Sequence, residues 1–232
     1  VTTVILLRHG RTTANAGGIL AGWTPGVRLD DVGERQVAAV GERLAKVPLA
    51  AVVSSPLERC VQTATAVLDG RDLDLRTDDR LGEARYGDWT GRTLKELVKE
   101  PLWKVVQQHP SAAVFPGPEG EGLAQTQARA VAAVRAWNAE LGPDAVWLAC
   151  SHGDVIKAIV ADALGLHLDQ FQRIVVDPAS ISVVTYTDTR PFVVRVNDTG
   201  GDVSALIPPP RRRRKRKASS DAVVGGGTGG PA

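Results

Sequence analysis

Three short runs of apolar residues limit what this chain can fold into. Val4-Ile5-Leu6-Leu7, Ala50-Ala51-Val52-Val53 and Val146-Trp147-Leu148-Ala149-Cys150 are apolar at every position, not at alternate ones. A strand reads this way when both of its faces are buried, which is the habit of parallel sheets covered by helices on each side. Segments of helical period lie between the runs. Over 31–46, Val32, Val37, Val40 and Leu44 fall near one face, with Asp30 or Asp31 placed as cap and Pro48 closing the segment. Further helices are predicted over 57–69, 93–108, 124–141 and 154–164, with a more exposed strand at Leu73-Asp74-Leu75-Arg76. Two late strands, Ile181 to Thr187 and Phe192 to Val196, flank the turn Asp188-Thr189-Arg190-Pro191. Strand and helix in turn define an α/β protein with a largely parallel central sheet and helices on both faces.

Composition narrows the class further. At 232 residues the chain is long enough for one domain with a core that needs no staples. Cys60 and Cys150 stand 90 positions apart without a CxxC, which excludes a disulfide scaffold and a zinc ribbon. No apolar stretch approaches the ~18 residues of a membrane span, and the first residues read into a strand and not a signal peptide, so a cytoplasmic protein is expected. Methionine is absent, and the Ala-, Gly-, Val- and Arg-rich composition suits a bacterial chain with Val1 as a literally read GTG start. The net charge of +2 hides two opposite regions. Residues 208–232 carry seven bases, Arg211 to Lys217, and one acid, while the remainder has 21 bases and 25 acids. We therefore expect a folded domain over 1–207 and a disordered basic and Gly-rich tail over 208–232, which opens with Pro208-Pro209-Pro210. The tail is read as solvated; contact with nucleic acid or another acidic surface through 211–217 is the alternative.

The chemistry stands at the strand ends. The first run leads into Arg8-His9-Gly10, the third into Ser151-His152-Gly153, and the second into Ser54-Ser55-Pro56-Leu57-Glu58-Arg59. If the strands are parallel neighbours, their carboxyl ends share one edge of the sheet, where open α/β folds bind ligands. Arg8, His9, Arg59 and His152 would then meet in one crevice. No acidic cluster is evident to neutralise them, so the partner is anionic, and planar guanidinium forks suit a phosphoryl group. Glycine after each histidine allows close backbone approach. A helix starting near Asp154 adds the positive end of its dipole.

With these motifs the chain resembles the histidine phosphatase superfamily, the phosphoglycerate mutase-like fold. The resemblance is carried in order by Arg8-His9-Gly10, Asn15, Ser54 to Arg59 followed by Gln62-Thr63-Ala64, Leu81-Gly82-Glu83 before Tyr86-Gly87-Asp88-Trp89-Thr90-Gly91, and Ser151-His152-Gly153, over roughly residues 2–190. It implies a three-layer α/β sandwich and a phosphohistidine mechanism with neither metal nor other cofactor. His9 would be the nucleophile, kept neutral in part by Arg8 beside it. Arg8, Arg59, His152 and Asn15 would hold the phosphoryl oxygens, and Glu83 would protonate the leaving oxygen and later take a proton from water. Trp23, in the loop after Asn15, is the expected further substrate contact. The function so implied is metal-independent hydrolysis of a small-molecule phosphate ester. The alternative is a cofactor-dependent phosphoglycerate-type phosphomutase. Mutases of the family carry a longer insertion between the acid and the second histidine; here Glu83 and His152 are 69 positions apart, which favours the phosphatase. Arg11 stands where Glu, Gln or Ser often follows RHG.

Other motifs explain less. Asp72-Leu73-Asp74-Leu75-Arg76 lacks the Thr or Val of an aspartate phosphatase and follows no apolar strand, so it reads as an exposed strand. Gly117-Pro118-Glu119-Gly120-Glu121-Gly122 lacks the lysine of a P-loop and reads as a lid or turn. Ser151 has no GxSxG context, His109 and His167 have no partners at ligand spacing, and Cys60 and Cys150 read as small buried hydrophobes.

Overall fold

Alternate residues of the central strands sort to opposite sides of the sheet. Val4, Leu6, Val53, Trp147 and Ala149 face one apolar core, and Ile5, Leu7, Val52, Leu148 and Cys150 face the other. This is the period of two that a pleated strand imposes, and it explains why the three runs are apolar throughout. The computed structural model describes residues 1–201 and 224–225. Its six strands are β1 Thr2–Arg8, β2 Ala51–Ser54, β3 Leu75–Thr77, β4 Val146–Ser151, β5 Ile181–Tyr186 and β6 Pro191–Asp198. They lie in the order β3-β2-β4-β1-β5-β6. The first four in that order are parallel; β5 runs antiparallel to β1, and β6 antiparallel to β5.

The helices are α1 Thr13–Ala16, α2 Asp31–Leu44, α3 Glu58–Leu68, α4 Leu94–Leu97, α5 Pro101–Gln108, α6 Leu123–Leu141 and α7 Gly153–Ala163. α6 and α7 cover the first face through Ala130, Val134, Val155 and Ile159. α2 and α3 cover the second through Val37, Val40, Ala64 and Val67. The result is the three-layer α/β sandwich with a mostly parallel sheet. As expected, Asp30 caps α2: its carboxylate accepts from the Gly33 N–H at 2.8 Å. The single helix expected over 93–108 is instead two, α4 and α5. Pro101 has no N–H and forces Glu100 out of the helical region, to φ −74° and ψ 139°, so the chain restarts there. The exposed strand expected at 73–76 pairs as Leu75–Thr77, set by its register Val52↔Leu75 to Ser54↔Thr77.

Among the described residues no helix is long and apolar enough to cross a membrane. The tail expected to be disordered over 208–232, its basic stretch 211–217 included, lies outside the described residues except at Val224 and Gly225. Those two pack at the strand ends discussed next.

The layered core predicts its own energetics. Leu6 is fully buried in the middle of β1, whereas Phe192 on β6 is half exposed. Leu6→Ala should lower the unfolding free energy by about 2–5 kcal/mol through lost transfer energy and a residual cavity, read as a drop in the urea midpoint at constant m-value. Phe192→Ala should change it by less than half as much. Equal losses at both positions would contradict this division of core from surface.

Candidate active site

Register brings the motifs together. Arg8 pairs with Ser151 and Ser54 with Cys150, so the residues that follow, His9, His152 and Ser55, leave the same edge of the sheet. The ladder runs one step further: the His9 N–H donates to the Ser151 carbonyl at 3.0 Å and the Ser55 N–H to the Cys150 carbonyl at 2.9 Å. Gly10 is required by a close crossing. A Cβ there would lie 2.8 Å from both the Gly33 carbonyl oxygen and Val37 Cγ1 on α2, and the two backbones could not pass. Thr63 Oγ1 accepts from the Gly10 N–H at 3.1 Å and donates to the Arg59 carbonyl at 2.7 Å, tying the end of β1 to α3.

The buried His9 ring has a defined tautomer. Nδ1 is 2.7 Å from the Gly10 carbonyl oxygen, which can only accept, so Nδ1 carries the proton. Nε2 is left with its lone pair and accepts from Arg59 Nε at 3.3 Å. Burial, then the Arg59 and Arg8 charges, hold the His9 pKa well below the usual imidazole value, against a smaller opposing effect of the Gly10 bond. His9 is therefore neutral at pH 7.

Arg59, on the first turn of α3, organises the centre. Its Nη2 donates to the Gly22 carbonyl at 2.8 Å and lies 3.3 Å from His152 Nδ1. Its Nη1 is buried without a hydrogen-bond partner among the described residues. An unmatched charged donor out of water is costly unless an anion meets it. His152 stands edge-on to His9, the ring centroids 5.2 Å apart, with Nε2 2.8 Å from Ser55 Oγ. Burial, with Arg59, His9 and Arg8, holds this imidazole too well below its usual pKa. Asn15, on α1, has its side-chain oxygen held by the Thr12 N–H and hydroxyl at 3.1 and 2.9 Å, which leaves its amide donors for the cavity it lines.

Glu83 faces this group from the segment after the short 3-10 turn Asp79–Leu81. Its Oε1 accepts from the Ala84 N–H at 3.0 Å, and Oε2 lies 3.8 Å from His152 Nδ1. Burial and the nearby Asp154 carboxylate outweigh Arg59 and Arg8 and push its pKa up to about 7. Around neutrality this carboxyl can hold or release a proton, as an acid-base group must.

Arg8 is fully buried, and its guanidinium bridges two other segments. Nη1 donates to the Val176 carbonyl at 2.7 Å and Nη2 to the Gly225 carbonyl at 3.2 Å. Trp23 does not line the cavity. Its indole N–H donates to the Glu83 backbone carbonyl at 2.6 Å, and Arg85 stacks on its ring at 4.1 Å, so it supports the segment that carries Glu83. Arg129 supports the same segment, donating to the carbonyls of Arg80, Gly82 and Glu83 while Glu121 pairs with it at 2.6 Å. The Gly117–Gly122 stretch thus leads into a structural ion pair. His109 and His167 sit at the surface beside Asp169, away from the site.

Sequence reasoning missed four residues here. Tyr86 and Asp154 form a buried pair, the phenol donating to Asp154 Oδ2 at 3.2 Å, with Lys157 Nζ 3.4 Å from Asp154 Oδ1. Tyr86 was visible only as part of a motif and Asp154 only as a helix start. Val224 and Gly225 carry no motif at all, yet both line the cavity.

A neutral imidazole whose unprotonated Nε2 meets a guanidinium, a further buried N–H group of that guanidinium without a partner among the described residues, and a carboxyl poised near neutrality suit phosphoryl transfer at the carboxyl edge of a parallel sheet. The family can then be stated. Residues 4–199 match the model of the histidine phosphatase superfamily, branch 1, and the chain belongs to that family. It is 32% identical over 178 residues to a glucosyl-3-phosphoglycerate phosphatase of Mycolicibacterium vanbaalenii, covering 74% of this chain and 78% of that one. It is 31% identical over 208 residues to a probable phosphoglycerate mutase of Cronobacter sakazakii, covering 88% and 94%. Among solved structures, YhfR of Bacillus stearothermophilus superposes with a TM-score of 0.79 at 28% identity, covering 85% of this chain and 98% of that one. A mycobacterial glucosyl-3-phosphoglycerate phosphatase complexed with VO3 superposes with a TM-score of 0.75 at 27% identity, covering 85% and 100%. The chain is an enzyme of phosphomonoester chemistry.

Proposed function

We propose that this protein hydrolyses a phosphomonoester of a small metabolite through a phosphohistidine formed on His9. The observation that carries the reading is the His9 tautomer: with Nδ1–H committed to the Gly10 carbonyl, Nε2 carries a lone pair and no proton, held by Arg59 Nε at 3.3 Å until a phosphoryl group takes that contact. In the first step that lone pair forms a bond to phosphorus, the ester P–O bond breaks, and its electron pair leaves on the substrate oxygen, which takes the Glu83 proton. In the second, water attacks phosphorus, ionised Glu83 takes its proton, and the P–N electron pair returns to Nε2. The protein's main contribution is charge stabilisation on the transferring group. Arg59 Nη1 is the clearest donor for a phosphoryl oxygen, and the Asn15 amide is a second. His152 Nδ1 accepts from Arg59 Nη2 while its Nε2–H donates to Ser55 Oγ, and it becomes a third donor once Arg59 turns to the phosphoryl group and Nδ1 takes up a proton. Arg8, buried next to His9, is a fourth.

Hydrolysis of p-nitrophenyl phosphate should proceed undiminished in EDTA. Activity that requires an added divalent cation would contradict the mechanism. A mutase is the second reading, favoured by the full-length similarity to the Cronobacter protein. Supplied with 3-phosphoglycerate and 2,3-bisphosphoglycerate, the protein should release phosphate; rapid 2-phosphoglycerate formation without phosphate release would reverse the order of the two readings. Cytoplasmic residence belongs to the same proposal, and the free, buried Cys60 and Cys150 support it, since reducing compartments keep such thiols unpaired.

A further inference from the structure

We infer that the chain's own C-terminal segment, at Val224-Gly225, docks in the catalytic crevice as a tethered occupant that substrate must displace. The inference rests on the phosphatase reading for its consequence, and on geometry for its substance. Val224 is 2% exposed and belongs to the same apolar core as Leu20 and Tyr86. The Gly225 peptide groups are bound at both ends: its N–H donates to Asp154 Oδ2 at 2.7 Å, and its carbonyl accepts from Arg8 Nη2 at 3.2 Å. Both residues line the cavity that also holds His9, Asn15, Arg59 and Glu83.

Two features show the fit is specific. Gly225 has φ +78°, a conformation an L side chain rarely adopts, and a Cβ there would lie 3.1 Å from Leu20 Cδ1. Its N–H satisfies a buried carboxylate that would otherwise rely on Tyr86 and Lys157 alone among the described residues. With the segment in place the remaining cavity is about 40 Å³, against the ~300–1,000 Å³ of small-molecule sites. A phosphorylated metabolite and the docked segment cannot share that space, and Arg8 cannot serve the Gly225 carbonyl and a phosphoryl oxygen through the same N–H. Twenty-two residues, 202–223, join the segment to the domain. The segment is covalently part of the chain, so its docking is an intramolecular step and a weak contact suffices to keep the crevice filled.

An occupant that competes with substrate raises KM and leaves kcat unchanged. If the crevice is open about a tenth of the time, apparent affinity falls about tenfold. The test compares the full chain with a chain ending at residue 207 and with the full-length variants Gly225→Ala and Val224→Asp. These place a Cβ in a glycine conformation and a charge in an apolar site. All three should lower KM for p-nitrophenyl phosphate about tenfold at constant kcat, and should bind orthovanadate about tenfold more tightly by calorimetry. Hydrogen exchange should show protection at Val224 and Gly225 that saturating orthovanadate removes. Unchanged KM and orthovanadate affinity in the point variants would overturn the inference even if the shortened chain failed to fold. A fall in kcat on shortening would also overturn it, because the segment would then be part of the working site. Tighter orthovanadate binding with no hydrolysis by any form would support the docked segment while rejecting the hydrolase.

Discussion

Replacing His9 with alanine is expected to lower kcat for p-nitrophenyl phosphate by on the order of 10⁴- to 10⁶-fold, while circular dichroism and the urea midpoint stay close to those of the parent. The size follows from the role. Removing a nucleophile leaves only binding and charge stabilisation, and in well-studied covalent enzymes those retain a small part of the acceleration. The fold should tolerate the change, because the backbone bonds that fix this segment, His9 N–H to Ser151 and Gly10 N–H to Thr63, do not use the ring. Retention of a tenth or more of the parent rate would mean that another group attacks phosphorus.

Glu83→Gln should cost about 10²- to 10⁴-fold in kcat on esters with poor, alkoxide leaving groups, the usual span for a lost general acid. The loss of the first step should be much smaller with p-nitrophenyl phosphate, whose phenolate departs without help. The pH dependence follows from the same side chain. Burial and Asp154 place the Glu83 pKa at about 7, so the acid form is present below that pH and is lost above it. His9 must be neutral, and its pKa is depressed well below 6.5. With alkoxide esters, for which the first step needs the acid, the rate should therefore fall on the alkaline side near pH 7 and on the acid side well below pH 6.5, with the alkaline limb absent in Glu83→Gln. Linkage adds a stability test. A carboxyl whose folded pKa is raised binds its proton more tightly folded than unfolded, so it destabilises the fold progressively as pH rises from about 4.5 to 7. The effect reaches roughly 3 kcal/mol at pH 8, and Glu83→Gln should raise Tm there but not near pH 4. An unchanged alkaline limb, or a Tm gain equal at both pH values, would contradict the placement of Glu83 as a buried acid.

The parts of the structure that could be read from the sequence are those in which residue type alone carries the physics. Strands buried on both faces must be apolar throughout, so β1, β2 and β4 stood out, and parallel register then brought Arg8, His9, Arg59 and His152 to one edge. The break between α4 and α5 was present in the sequence as Pro101, but apolar spacing ran through it and carried the helix too far. Trp23 shows a different limit. Its indole N–H finds the main-chain carbonyl of a residue 60 positions away, and a carbonyl acceptor has no residue-type signature. In the sequence Asp154 marks only a helix start, because its partners Tyr86 and Lys157 meet it only once α7 is packed against the site. Val224 and Gly225 stand among a basic run and glycines, where composition argues for a solvated tail. One buried valine and two peptide hydrogen bonds are too small a signal to change an average over 25 residues.

The central claim is that the Nε2 lone pair of His9 forms a bond to phosphorus. Glu83→Gln offers the best vantage, since p-nitrophenolate still leaves but water is no longer activated, and the covalent species should accumulate. Quenching that variant in alkali during turnover and locating the phosphoryl group by mass spectrometry should find it on His9, in near-stoichiometric amount and labile to acid. A phosphoryl group on any other side chain, or continued p-nitrophenol release with no covalent phosphoprotein at any time, would contradict the account.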